Sequence, residues 1–264
     1  MKELAQIGKR TKELVKEVGG FIREEAAKFD PSKIEEKGLN DLVSYVDKEA
    51  EQKLVDGLKI ILPQAGFIAE EGTATANDEL YKWIIDPLDG TTNFMHRLPV
   101  FSISVALISE ERLILGVVYE INRDELFYAH KDGGAWLNDK KITVSTIPHL
   151  SQSLLATGFP YHNFKRLDTY LDMLKYFMKH THGLRRMGSA AVDLAYVACG
   201  RFQGFFEYNL NPWDVAGGAF IVQEAGGVVV DFKGGDNFLF GRSIIAAGMV
   251  KEELHNAIDS IWNP

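Results

Sequence analysis

From Tyr81 to Ala129 the chain offers four β-rich runs in succession: Tyr81 to Ile85, Phe101 to Ile108, Leu113 to Tyr119 and Glu125 to Ala129. Turns at Glu110-Glu111-Arg112 and Asp132-Gly133-Gly134 punctuate them, so successive strands are expected to be antiparallel. On either side the period changes to that of helices. Leu4, Ile7, Leu14, Val15, Val18 and Ile22 recur at helical spacing, as do Ala50, Leu54, Leu58 and Ile61, and Asp30-Pro31-Ser32 breaks the first of these segments. Further on, helices are expected around Leu171, Leu174 and Phe177, at Ala191 to Ala198 and at Val215 to Val222, with strands at Gly227 to Phe232 and Ser243 to Ala247. Runs of strands set between runs of helices point to an α+β layered architecture rather than one doubly wound parallel sheet. Neither an internal repeat nor a Pro/Gly/Ser linker interrupts residues 1–264, which read as one unit, with two lobes meeting near residue 150.

Composition bounds the function. The net charge of −8 argues against broad binding to nucleic acid or to an anionic membrane, either of which needs a clustered basic face. An acidic protein can still take an anionic substrate where divalent cations invert the local field. The basic pairs Lys165-Arg166 and Arg185-Arg186 read as solvated surface. A single cysteine, Cys199, excludes an intrachain disulfide, and its apolar surroundings make it a packed helix residue. No apolar run approaches the ~20 residues of a membrane span, so the expectation is a soluble, cytoplasmic protein.

The chemistry concentrates where the first β-rich run ends, at Trp83-Ile84-Ile85-Asp86-Pro87-Leu88-Asp89-Gly90-Thr91-Thr92-Asn93-Phe94. The apolar half reads as a buried strand, and Asp86-Pro87 is expected to end it, because proline cannot donate to a sheet ladder. Gly90 permits close approach to a ligand, and Thr91-Thr92 supply hydroxyls and amides where a helix could begin, a plausible phosphate seat. Upstream, Glu70-Glu71 follow a short apolar run; downstream, Asp214 stands in the first turn of an expected helix, within Trp213-Asp214-Val215-Ala216-Gly217-Gly218. If Glu70, Asp86, Asp89 and Asp214 converge, each pair of charges about 5 Å apart repels by roughly 3 kcal/mol at an effective dielectric of 20, so cations must offset the repulsion. Carboxylate and carbonyl oxygens without His or Cys select magnesium or manganese over zinc.

These strings, in this order and spacing from about Asp41 to Gly227, closely resemble the inositol monophosphatase family. The resemblance implies an alternating α/β/α/β/α layered sandwich, usually a homodimer, and hydrolysis of a phosphate monoester, with inositol 1-phosphate the leading substrate. It implies two or three Mg2+ ions, Mn2+ being a possible substitute: one held by Glu70, Asp86 and the Leu88 carbonyl, another by Asp86, Asp89 and Asp214, and a looser third at Glu70. Thr91 and Asp47 resemble the pair that orients or deprotonates the attacking water. Leu88, Asp89, Gly90, Thr91, Thr92, Ser189, Ala190, Glu207 and Asp214 are the implied substrate contacts, within a small phosphorylated polyol site, and lithium is the implied inhibitor. Two alternatives stay open: a fructose 1,6-bisphosphatase or broad-specificity sugar or nucleotide phosphatase, and a regulatory binding protein that keeps the fold without turnover.

Overall fold

The computed structural model describes residues 2–28, 35–38, 41–43, 45–74, 79–160 and 164–263. Both opening periodicities become helices. In α1 (Lys2–Lys28) the stripe Val15, Val18 and Ile22 is buried, and in α2 (Tyr45–Ile61) Val46, Ala50, Leu54 and Leu58 are fully buried. The two stripes share one apolar core with one face of the first sheet. Asp30-Pro31-Ser32, expected to break α1, lies outside the described residues; beyond it runs a short antiparallel ribbon of β1 (Glu35–Gly38) and β2 (Asp41–Val43).

Seven strands then form one sheet in chain order: β3 (Ala65–Ala69), β4 (Tyr81–Asp89), β5 (Ser102–Ser109), β6 (Arg112–Glu120), β7 (Glu125–His130), β8 (Ala135–Leu137) and β9 (Lys140–Ile142). β3 runs parallel to β4, and the remaining neighbours are antiparallel. A short helix, α3 (Thr91–Met95), follows β4. A second sheet of five strands has the order β11-β10-β12-β14-β13, from β10 (Leu154–Thr157), β11 (Gly183–Arg185), β12 (Gly204–Tyr208), β13 (Val228–Val230) and β14 (Ser243–Ala247). Interleaved with it are α4 (Leu167–His180), α5 (Ala190–Ala198), α6 (Pro212–Glu224) and α7 (Lys251–Trp262).

Alternation along the strands assigns the layers. Trp83 and Ile85 of β4 join the core of α1 and α2, whereas Ile84 between them joins the core that contains α5 and α6. That middle core also takes Ala156, Phe205 and Ala246 from the second sheet, whose other face buries Leu155, Phe206 and Ile245 against α4 and α7. The order is therefore α1/α2, seven-stranded sheet, α5/α6, five-stranded sheet, α4/α7: the α/β/α/β/α sandwich expected.

The middle layer is tight because small residues face each other. A Cβ added to Gly116 of β6 would lie 2.6 Å from the Gly217 carbonyl oxygen, and one on Gly217 would lie 2.8 Å from Ser104 Oγ. Neither a helix carbonyl nor a central strand can move aside cheaply. Gly116→Ala is expected to cost about 2–3 kcal/mol, read as a lowered thermal midpoint.

The strand β4 departs from expectation. Pro87 does not end it; the strand continues to Asp89 through a bulge, with Asp86 opposite Ser104 and Asp89 opposite Ser102 of β5. Two residues, Pro87 and Leu88, thus fill a gap that the partner spans with one, Ile103. Pairing with β3 has already stopped at Ile85, so the missing proline N–H leaves no ladder bond unmade on that side.

Candidate active site

The carboxylates meet where the parallel pairing of β3 with β4 stops. β3 terminates at Ala69, and the amide of Glu70 still donates to the Ile85 carbonyl at 3.3 Å, which sets Glu70 beside Asp86. The two side chains come close enough that each shifts the other's titration. Asp86 is 2% exposed, and its Oδ1 accepts the Leu88 amide at 3.0 Å, so one carboxylate oxygen shapes the bulge. The bulge then re-aims the chain and delivers Asp89 to the same place.

Two helices of the middle layer complete the cluster. Asp214, in the first turn of α6, accepts the Asn211 amide on Oδ2 at 2.6 Å. The glycine contacts of α6 against β5 and β6 fix how near that turn comes to Asp86, and Ser104, opposite Asp86, donates to the Trp213 carbonyl at 3.4 Å. Asp89 Oδ2 accepts from Ser189 Oγ and from the Ala191 amide, each at 2.7 Å, so the start of α5 is tied to the end of β4. Thr91 Oγ lies 3.0 Å from both Asp47 Oδ1 and the Leu88 carbonyl oxygen; its single proton can serve either acceptor.

Glu70, Asp89, Gly90, Thr91, Thr92, Ser189, Ala190, Glu207 and Asp214 line one cleft. Asp47, Asp86 and Leu88 stand in its wall, bonded to residues that line it or to one another. Every residue named from the sequence thus falls in or against a single depression. Gly90 is where glycine is required: its φ is 98°, and a Cβ would lie 3.1 Å from the carbonyl oxygens of Gly188 and Val100.

Residues 3–263 match the model of the inositol monophosphatase family. The chain belongs to that family. It is 42% identical to the Nus factor SuhB of Escherichia coli (strain K12), over 93% of this chain and 93% of that one. It is 40% identical to the inositol-1-monophosphatase of Mesorhizobium japonicum, over 81% of each. Among solved structures, the Thermotoga maritima IMPase superposes with a TM-score of 0.87 at 34% identity, covering 96% of both chains.

Electrostatics in this member of the inositol monophosphatase family are those of crowded acid. Burial, then the neighbouring charge of Asp214, pushes Glu70 well above the usual carboxyl range; burial, then Glu70, Asp89 and Asp214, does the same to Asp86. Burial carries Asp89 up to about 6 even though Ser189, Ala191 and Ala190 donate to it and Arg186 attracts it. Asp214 is pushed up to about 7, burial first, with the Asn211 amide opposing and Asp89 adding to the rise. Without cations, the cluster holds protons that ordinary aspartates release.

Three participants escaped the sequence reading. Arg186, taken there as solvated surface, is half-buried and lines the cleft, where its charge opposes the rise of Asp89, Asp193 and Glu207. Glu51, fully buried on α2, accepts the amides of Glu71 at 2.8 Å and Thr73 at 2.9 Å and the Thr73 hydroxyl at 2.7 Å, anchoring the segment that carries Glu70. Its signal was present, a charge three residues before Leu54 and one after Ala50 on the apolar stripe. Asp193, inside the otherwise apolar α5, is the third.

Proposed function

We propose that the protein hydrolyses a phosphate monoester with the help of divalent cations, and that inositol 1-phosphate is its leading substrate. The observation that carries this reading is the convergence of Glu70, Asp86, Asp89 and Asp214, from three separate chain segments, into one largely buried acidic wall beside Thr91 and Asp47. Membership of the inositol monophosphatase family supports it.

The donor set fits magnesium or manganese, since it consists of carboxylate oxygens and the Leu88 carbonyl, without nitrogen or sulfur. Among the described residues no group of three or more Asp, Glu, His or Cys side chains stands arranged to hold a metal ion. Asp86, Asp89 and Asp214 each have one oxygen engaged by a backbone amide. Glu70, Asp86 and Leu88 would hold one cation and Asp86, Asp89 and Asp214 another, with Glu70 open to a looser third. Bound there, the ions supply Lewis-acid stabilisation of phosphoryl charge and an acidified water.

The chain's own groups do the rest. Thr91, whose hydroxyl donates a hydrogen bond to the Asp47 carboxylate, presents a lone pair to the attacking water; as Thr91 takes the water's proton its own passes to Asp47. Gly90, Thr91 and Thr92 seat the phosphoryl group, while Ser189, Ala190 and Glu207 meet the alcohol. Phosphate release from inositol 1-phosphate, with and without magnesium and beside fructose 1,6-bisphosphate and nucleotide monophosphates, tests the reading. A folded, cation-binding protein that releases no phosphate from any of them overturns it. The same reading includes a homodimer and inhibition by lithium.

A second reading comes from the 42% identity to a protein named Nus factor SuhB, and is of a binding role carried beside the phosphatase site. Such a role would survive in a catalytically dead variant.

A further inference from the structure

One carboxyl group of the cleft has no part in the scheme above. Asp193 is 2% exposed, lines the same depression as Glu207 and Arg186, and its Oδ1 has no hydrogen-bond partner. The rest of α5 is apolar and buried: Ala190, Ala191, Val192, Leu194, Ala195, Tyr196, Val197 and Ala198. A carboxyl group buried without a partner costs stability, and an aliphatic side chain would suit this helix better.

A capping role does not account for it. The free amide of Val192 is already taken by Ser189 Oγ at 3.3 Å, the Ala191 amide by Asp89, and the amide of Asp193 itself by the Ser189 carbonyl at 3.0 Å. Nor does a simple ion pair account for it. Arg186 is shared in its field among Asp89, Asp193 and Glu207, so one guanidinium faces three carboxyl groups. Burial, then repulsion from Glu207 and Asp89, holds Asp193 well above its usual range.

We propose that Asp193 is a specificity residue that reads substrate hydroxyls together with Glu207, favouring polyol phosphates over esters whose alcohol carries no further hydroxyl. This rests on the phosphomonoesterase reading. A polyol in the cleft brings hydroxyl groups against the carboxyl groups of both acids, which line it. An ester lacking them enters the same cleft but leaves two buried carboxyl groups unpaired, and a site built around hydroxyl recognition penalises such a substrate heavily.

The test compares wild-type protein, Asp193→Ala and Asp193→Asn at saturating magnesium, on inositol 1-phosphate and on 4-nitrophenyl phosphate, with thermal melts of each. For Asp193→Ala, the ratio of kcat/KM for the polyol ester over the aryl ester falls by at least about tenfold, mainly through KM for inositol 1-phosphate. Activity on 4-nitrophenyl phosphate stays within about threefold and the melting temperature does not drop, since removing an unpaired buried acid relieves the helix. Asp193→Asn, whose amide still donates and accepts, keeps the ratio within about threefold of wild type. An equal loss on both substrates, an unchanged ratio, or a lowered melting temperature with selectivity intact assigns Asp193 to structure and overturns the proposal. Wild-type protein inert on both esters overturns the phosphatase reading itself, and is told apart because no ratio can then be formed.

Discussion

Asp89→Asn is expected to remove phosphomonoesterase activity by about a thousandfold or more, on the scale of losing one dedicated electrostatic group from a reacting centre. The side chain has two duties that the substitution separates. Oδ2 receives Ser189 Oγ and the Ala191 amide, a positioning task that an asparagine carbonyl oxygen can still perform. The other oxygen then becomes an amide group, aimed at the place where a cation is proposed to sit, and a donor there repels it. The fold should survive, since the bulge is fixed by the Asp86 contact with the Leu88 amide and by pairing with β5. Initial rates across a wide magnesium range, together with a far-ultraviolet thermal melt, check both halves. Turnover comparable to wild type in a normally folded variant would remove Asp89 from the proposed machinery.

Much of this arrangement could be read from the chain, and the failures have physical reasons. The antiparallel run from β4 to β7 was visible because each strand is long enough to show its character, and the helices α1, α2, α5 and α6 because their apolar runs are dense. Strands β8, β9 and β11, of three residues each, are too short to carry a period. Helix α7 is different: Leu254, Ala257, Ile258 and Ile261 have the spacing of one helical face, and the signal went unread. Pro87 was misjudged because local propensity was weighed without the bulge, whose unpaired residues are where a missing N–H costs least. Among the site residues, the four carboxylates were found by their motifs. Glu51 was not, although its place on the apolar stripe of α2 marked it; Arg186 and Asp193 were not, because each matters through neighbours distant in sequence, which spacing alone does not reveal. Glu207, an implied substrate contact, is 7% exposed, and its carboxylate occupies the space a Cβ on Gly158 would need.

Metal-free protein is expected to lose stability as pH rises from about 5 to 8, and divalent cations to return it. Asp89 moves from 3.8 in the unfolded chain to about 6, and Asp214 from 3.8 to about 7, both because burial disfavours the charged form. Over that window the folded state therefore binds more protons than the unfolded one. Stability changes with pH in proportion to protons bound by the unfolded chain minus those bound by the folded one, so the slope is negative. The direction is opposite to that of a salt-bridged aspartate, whose depressed pKa stabilises at high pH. Each unit of such a shift is worth about 1.4 kcal/mol, and for a chain of this size the melting temperature should fall by about 5–10 °C between pH 5 and 8 in chelator. Magnesium or manganese at about a hundred times its dissociation constant stabilises by about 2.7 kcal/mol for a single site, which raises the midpoint at pH 8. At pH 5 the rise should be smaller, because each ion must displace a proton before it can bind. Melts in chelator, magnesium and manganese at the two pH values test this. A metal-free midpoint that climbs with pH, or no cation effect at pH 8, would show that the acidic wall is neither strained when empty nor filled by these ions.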